Sequence, residues 1–309
     1  MRALITGATG FIGTALLNRL RLVDKFTTIV GTSKSFGDPI YKIGVVEKSK
    51  DALIKLDITR DIDVAILLTT YKPDVIFHYA ANPMVKFNDN RPFDLVDVNI
   101  RGTQNLLEYA APDSRFIFAS SASVYKPYLK YLEESDRTEP ASFYGMSKLA
   151  GEKLVEHYSD AKRVRGISLR YVAQVGKNST HGVFHDIAKK IKSDSKELEL
   201  FGDIPGSEKP FIHVDDSADA AIHFALRKYE KYDVFNIAAC DSVTVYDMAK
   251  WMMRTMQVEK PIKWLGKDSL FKGDVTRLFI NSQKMNWYNF SLKYYNSYLA
   301  IEQATKEII

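Results

Sequence analysis

Cysteine is nearly absent. The single Cys240 among 309 residues has nothing to pair with inside the chain, which excludes an intrachain disulfide framework and suits a reducing compartment. Long apolar runs are missing too: none approaches the roughly 18 residues of a membrane-spanning helix. The start, Met1-Arg2-Ala3-Leu4-Ile5, superficially resembles an export signal, but Gly7, Gly10 and Gly13 interrupt it and no small-residue cleavage site follows. Basic clusters are lacking as well. The 43 Lys and Arg against 38 Asp and Glu leave a net charge of +5 scattered along the chain, short of the basic face that nucleic acid demands. No internal repeat or low-complexity tract is found. These absences predict a cytoplasmic protein that engages neither membrane nor nucleic acid.

What is present is ordinary for a globular chain: 46% apolar and 26% charged residues, and a length whose core needs no disulfide or metal staple. Short apolar strands alternate with helical patterns. Strands are expected at Ala3–Ile5, Thr27–Val30, Asp74–His78, Arg115–Ser120 and Gly166–Tyr171. Helices are expected at Ile12–Leu22, Val64–Thr70, Val98–Ala110 and Tyr144–Tyr158. Such alternation predicts an α/β fold with a doubly wound parallel sheet. After Tyr171 the pattern loosens, with glycine and proline over Lys177–Gly182 and Phe201–Pro210, and then resumes over Phe211–Ala238. The expected division is a first domain over 1–170, which the chain rejoins at about 212–240, and a smaller α+β domain over 171–309.

Between the first strand and first helix stands Thr6-Gly7-Ala8-Thr9-Gly10-Phe11-Ile12-Gly13. Gly7 permits a tight turn, Gly10 lets backbone approach a pyrophosphate, and Gly13 lets helix and sheet pack closely, with the helix N-terminus facing the anion. A Rossmann dinucleotide site is predicted. An acidic residue closing the second strand would select NAD, but Val30-Gly31-Thr32-Ser33-Lys34 has none. Its two hydroxyls and ammonium suit the extra phosphate of NADP, so the cofactor expected is NADP ahead of NAD.

Tyr144 and Lys148 are four residues apart, hence neighbours on one helical face. A tyrosine of ordinary acidity is a poor base at neutral pH, and a nearby ammonium favours its phenolate. Upstream, Ser120, Ser121 and Ser123 end a strand where their hydroxyls can meet a substrate oxygen.

Together with these motifs, Asp57-Ile58, His78-Tyr79-Ala80-Ala81, Asn99, Gly102-Thr103, Asn105-Leu106-Leu107, Leu169-Arg170-Tyr171, Phe211-Ile212-His213-Val214-Asp215-Asp216 and Phe235-Asn236-Ile237 follow in order. The whole series resembles the extended short-chain dehydrogenase/reductase group, and within it the nucleotide-sugar (NAD-dependent) epimerase/dehydratase family. The resemblance implies that Tyr144 is the acid/base, that Lys148 tunes it and holds the nicotinamide ribose, and that Ser121 hydrogen-bonds the reacting sugar oxygen. It implies a cofactor set of Gly7, Gly10, Phe11, Ile12, Gly13, Thr32, Ser33, Lys34, Asp57, Ile58, Ala80, Ala81, Asn99, Tyr144, Lys148 and Tyr171. The substrate set it implies is Asn82, Ser121, Ser123, Val183, Lys209 and Arg277, with the C-terminal domain binding the sugar. It also implies a homodimer built on the helices Val98–Ala110 and Tyr144–Tyr158.

Departures narrow the reaction. Family members that eliminate water carry Asp-Glu after the position of Ser121, and Ala122-Ser123 stand here, without the acid and base for that step. Ala173 replaces a usual Asn, and Lys209-Pro210-Phe211 replaces Arg-Asp-Phe, trading a fork for a point charge. The expected enzyme is an epimerase of a nucleotide-activated sugar acting through a transient keto intermediate. A reductase of a 4-keto sugar nucleotide and a silent dinucleotide sensor are the alternatives. The sugar loops are expected at 82–91, 173–185 and 203–210. His78, His213 and His223 read as packed residues, and His181 with His185 lacks partners for a metal site. Asp215-Asp216 reads as a helix cap, Cys240 as a buried structural thiol, and the aromatics Trp287, Tyr288, Phe290, Tyr294, Tyr295 and Tyr298 as helical packing.

Overall fold

The computed structural model describes residues 1–35, 51–83, 92–126, 130–269 and 276–309. The sugar loop expected over 82–91 falls outside these beyond Pro83, as do Gly273, Asp274 and Val275 ahead of Arg277. The first half alternates strand and helix as expected: β1 (Arg2–Thr6), α1 (Phe11–Leu20), β2 (Thr28–Ser33), β3 (Ala52–Lys55), α2 (Asp61–Tyr71), β4 (Val75–His78), α3 (Pro92–Leu95), α4 (Gly102–Tyr109), β5 (Arg115–Ser121), α5 (Phe143–Asp160) and β6 (Arg165–Tyr171). Then come β7 (Ala173–Val175), α6 (Val183–Lys192), β8 (Leu198–Leu200), β9 (Glu208–Lys209), β10 (Phe211–His213), α7 (Val214–Leu226), β11 (Asp233–Ile237), β12 (Val243–Thr244), α8 (Val245–Thr255), β13 (Ile262–Trp264), α9 (Gln283–Trp287) and α10 (Ser297–Lys306).

Among the described residues the main sheet has seven strands in the order β11-β6-β5-β4-β1-β2-β3, and every pairing in it is parallel. β1 pairs Thr6 with Thr32 on one side and with His78 on the other. The chain thus reverses direction across the sheet between β1 and β4, which opens a crevice at the carboxyl ends of these strands where ligands bind in such folds. β4 is buried along its whole length, as a strand covered by helices on both faces must be, and Val75-Ile76-Phe77 is accordingly a continuous apolar run closed by His78. One core gathers Ile5, Leu16, Phe77, Ile117 and Phe224 on one face of the sheet, and a second gathers Leu4, Leu68, Phe116 and Val155 on the other. A further core, with Phe184, Leu198, Phe211, Met248, Met252 and Ala300, lies among α6, α8 and α10.

Several expectations need correction. β3 was not expected: four residues beside Asp51 are too short for periodicity to mark. Its edge is secured by Asp51, whose carboxylate accepts the Ile29 N–H at 2.9 Å. The helix expected at Val98–Ala110 is preceded and entered by a turn of π-helix over Val96–Arg101, an insertion that a 3.6-residue period does not reveal. Asp215 and Asp216 are not the cap of α7. His213 caps it by accepting the Asp215 N–H, and the buried Asp216 carboxylate instead accepts the N–H groups of Lys293 and Tyr294 at 2.7 and 3.1 Å. Cys240 is exposed rather than buried, and partial desolvation together with the neighbouring Asp241 pushes the thiol up in pKa, away from reactivity. Of the C-terminal aromatics, Phe290 is in the core and Tyr288 packs on it, while Trp287 and Tyr295 are exposed. No helix among the described residues is long and apolar enough to cross a membrane.

Candidate active site

The glycine loop is shaped by backbone contacts that tolerate no side chain. Gly7 has φ +70°, and a Cβ there would sit 2.8 Å from the Ala80 nitrogen. A Cβ on Gly13 would sit 2.1 Å from the Gly7 oxygen. The loop is held to the sheet by the Ala8 N–H on the Thr32 carbonyl and closed by the Gly10 N–H on the Gly7 carbonyl, both 2.9 Å. α1 starts with neither a side-chain cap nor an acidic residue in its first turn among the described residues, so its first N–H groups face the crevice as an anion cradle. A dinucleotide pyrophosphate fits this loop because the cradle exists only without the side chains.

At the end of β2 the Thr9 and Ser33 hydroxyls are 2.7 Å apart, and Lys34 pairs with Asp57 at 2.9 Å. Burial works to raise the Asp57 carboxyl, but hydrogen bonds from Lys34 and Thr59 hold it below the ordinary carboxylate range. Ile58 is buried against Gly102, whose added Cβ would meet it at 2.5 Å. Thr32 is buried in the strand itself.

After β4 the chain passes Ala80 and Ala81 to Asn82, whose backbone is clamped on both sides by one side chain. Asn99 accepts the Asn82 N–H at 2.7 Å and donates to its carbonyl at 3.1 Å. The same amide donates to Ser147 Oγ at 2.9 Å, and Ser147 donates to the Tyr144 carbonyl at 2.8 Å. Asn99 lies within the π-turn, so that turn aims one side chain at both the cofactor loop and α5. Below it, His78 bridges Thr6 and Thr103 at 2.7 and 2.8 Å. Burial, with Lys148 adding to it, pushes its ring down to about 3, so His78 is a neutral packed residue, as its sequence context suggests.

Ser121, Tyr144 and Lys148 converge from β5 and α5. Ser121 Oγ accepts both the Ser123 N–H at 3.1 Å and the Ser123 hydroxyl at 2.9 Å, and its own hydrogen bond is with the Tyr144 phenol. Ser142 caps α5 by accepting the Gly145 N–H, and Gly145 abuts the Ser123 carbonyl, which an added Cβ would meet at 2.3 Å. That close approach sets the first turn of α5 against the serine turn. Burial pushes the Tyr144 phenol up to about 12, opposed by its hydrogen bond with Ser121. Lys148 donates from Nζ to the Ala119 carbonyl at 2.7 Å and lies 5.7 Å from the centre of the Tyr144 ring. Burial pulls its ammonium down to about 8. A hydroxyl, a phenol and an ammonium thus come together from β5 and α5, a set able to move a proton on and off a substrate oxygen.

The remaining sequence candidates divide. Lys209 lies on β9 next to Glu208, which bridges to Arg277, so these two candidates share one ribbon. Val183 opens α6 after Gly182, at φ +92°. Tyr171 stands apart: it is buried, with its hydroxyl 2.6 Å from that of Tyr79 and donating to the Ser217 carbonyl. Sequence reasoning missed Ser142, Ser147 and Glu152. A capping position and the i,i+4 spacing from Lys148 to Glu152 were the available signals for the first and last. Among the described residues no group of three or more His, Cys, Asp or Glu could hold a metal ion.

Comparison with known proteins gives the chain a family. Residues 3–238 match the model of the NAD dependent epimerase/dehydratase family. The UDP-glucose 4-epimerase of Mycolicibacterium smegmatis is 33% identical over 72% of this chain and 72% of its own. The UDP-glucuronate 4-epimerase 5 of Arabidopsis thaliana is 34% identical over 70% of this chain and 52% of its own. The crystal structure of UDP-glucuronic acid 4-epimerase from Bacillus cereus, in complex with UDP-glucuronic acid and NAD, superposes with a TM-score of 0.87 at 25% identity, covering 100% of this chain and 99% of that one. The chain therefore belongs to the NAD dependent epimerase/dehydratase family, enzymes of the extended short-chain dehydrogenase/reductase type.

Proposed function

We propose that the chain is an NAD-dependent epimerase that inverts a hydroxyl-bearing carbon of a UDP-hexose through a transient keto sugar. The observation that carries this reading is the convergence of the Ser121 hydroxyl, the Tyr144 phenol hydrogen-bonded to it and the Lys148 ammonium beside a cradle for a dinucleotide. Ser121 would donate to the sugar oxygen and hold it against Tyr144. Tyr144 would take the hydroxyl proton as the carbonyl forms and return it when the sugar is reduced from the other face. Lys148 would stabilise the phenolate between these events and bind the nicotinamide ribose. Bound NAD supplies the acceptor and later the donor of the hydride. Lys209 and Arg277 would meet the diphosphate, and Asn82, Ser123 and Val183 the sugar. A UDP-sugar is favoured because the two curated relatives bear UDP-sugar names.

NAD is preferred over NADP. The cation that would meet a 2′-phosphate, Lys34, is in an ion pair with Asp57, and the Ser33 hydroxyl is engaged with Thr9 and the Ser35 carbonyl. The Bacillus cereus relative holds NAD, and NADP has only the missing carboxylate after β2 in its favour. Mass spectrometry of small molecules released from the purified protein tests the reading. NAD should be recovered, and incubation with UDP-glucose or UDP-glucuronic acid should yield the epimer without net change in NADH absorbance. Stoichiometric NADPH consumption on a keto sugar would replace the epimerase by a reductase. Recovery of neither dinucleotide, and no binding on addition, would remove the cofactor assignment.

A homodimer is part of the same proposal. Phe93, Val96, Phe143 and Met146 are exposed apolar side chains at the starts of α3, the π-turn and α5, elements that pack on one another. Such a patch is costly to leave in water. Light scattering should give twice the 35.1 kDa chain mass, and Met146→Glu should shift it toward the monomer. A monomer at micromolar concentration would contradict the dimer.

A further inference from the structure

A buried ion pair beneath the candidate site has no part in the chemistry above. Glu152 and Arg170, from α5 and β6, have side chains only 3% and 6% exposed. Arg170 Nε and Nη2 donate to the two carboxylate oxygens at 2.8 and 2.7 Å. The Ser120 hydroxyl also donates to Glu152. Arg170 Nη1 in turn reaches the Tyr125 hydroxyl at 2.8 Å and the Glu134 carbonyl at 3.1 Å. Buried pairs of this kind contribute little net stability, since desolvation offsets attraction. Their position therefore calls for another explanation.

That position is between the two halves of the site. Ser120 lies between Ala119, whose carbonyl accepts from Lys148, and Ser121. Glu152 is one helical turn beyond Lys148 on the same helix face. We propose that Glu152, held in place by Arg170, is a positioning residue that keeps Lys148 charged and anchors the end of β5 so that Ser121 and Tyr144 face each other. The proposal rests on the proposed function for its meaning, but its physical content is a statement about Lys148.

The charges around Lys148 support it. On its own helix stand Tyr144 and Glu152, on β4 the neutral His78, on β6 Arg170, while β5 offers the Ala119 carbonyl and the Phe118 ring, 5.1 Å from Nζ. Burial drives the ammonium toward its neutral form, and Glu152 is the group that opposes this. Without its negative charge, Lys148 would lose its proton at lower pH and cease to favour the Tyr144 phenolate.

Glu152→Gln removes the charge at nearly constant shape: its amide oxygen can still accept from Ser120 and Arg170 Nε, while the contact with Arg170 Nη2 is lost. Two readouts apply. The Cε resonance of Lys148, assigned by its disappearance in Lys148→Met, should titrate near pH 8 in the unaltered protein and lower by about one unit or more in the variant, the size of effect that one adjacent opposite charge produces. The pH at which kcat/KM stops rising should move down by the same amount. If Glu152→Gln does not fold, Glu152→Gln/Arg170→Gln, which buries no unpaired charge, should shift it in the same direction but by less, because the Arg170 charge is removed as well. An unmoved Lys148 titration in either folded variant overturns the proposal, as does a midpoint below 7 in the unaltered protein. A uniform loss of activity with that pH unmoved would assign the pair to structure alone. Because the resonance needs no substrate, absence of epimerase activity would leave this test intact and would instead count against the proposed function.

Discussion

Tyr144→Phe should lower kcat on the correct UDP-hexose by about 10²- to 10⁴-fold, the range that a positioned acid/base supplies, with little change in melting temperature. The phenol oxygen is the only atom removed, and Ser121, its hydrogen-bond partner, keeps both contacts from Ser123. The ring stays beside Lys148, whose anchor is the Ala119 carbonyl rather than the phenol, so NAD affinity should persist within a few fold. The measurement is single-turnover reduction of bound NAD by substrate, alongside calorimetric NAD binding. Unchanged turnover would make the catalytic assignment wrong, whatever the fold. A parallel loss of NAD binding would move Tyr144 from the chemistry to cofactor positioning. The pH dependence carries a sign as well. In the free protein burial holds the phenol up to about 12, so it is protonated at neutral pH, and activity should rise with pH as the phenolate forms. That rise should stop near 8, where Lys148, which burial brings down to about 8, loses the charge that stabilises the phenolate and so offsets each further gain in phenolate. The expected profile rises to about pH 8 and is flat above it.

The parts of this site legible in the sequence are those where backbone or helix geometry dictates the residue. Gly7 and Gly13 announce themselves because no side chain fits their positions. Tyr144 and Lys148 are legible because four residues on a helix are neighbours. The parallel sheet is legible because strands covered on both faces are uninterrupted apolar runs. Asn99 is different. Its spacing from Asn82 and Ser147 means nothing until the π-turn brings them together, so only a family resemblance singled it out. The exposure of Cys240 and the inward turn of Asp216 toward Lys293 and Tyr294 depend on which distant segment passes overhead, which local pattern does not record. Lys34 shows the same limit for charge. In sequence it is a free cation for a phosphate, and in the fold it meets Asp57, 23 positions along.

Gly13→Ala should cost both stability and cofactor, whereas Gly10→Ala should cost cofactor alone. At Gly13 the added methyl would lie 2.1 Å from the Gly7 oxygen and 2.9 Å from the Gly7 carbon and the Ala8 Cα. All three are backbone atoms, so no rotamer change relieves the overlap. Nor can the loop retreat freely: Gly7 already presses on Ala80, and Ala8 is tied to Thr32. α1 must therefore lift from the sheet or the turn must open, at about 1–3 kcal/mol for overpacking of this kind. Either movement displaces the N–H groups of the cradle, and about 1.4 kcal/mol is tenfold in affinity, so NAD should bind ten- to a hundredfold more weakly. At Gly10 the sole near contact is the Gly7 oxygen at 3.2 Å, and the backbone there has φ −74°, ψ 169°, an extended conformation open to any residue. The apoprotein should therefore melt close to its unaltered temperature, while the methyl stands where the pyrophosphate would approach. Calorimetric melting and NAD titration of both variants separate the two effects. Equal melting temperatures and unchanged affinity for Gly13→Ala would mean that the turn yields where its contacts leave no room, and the cradle could no longer be the reason for these glycines.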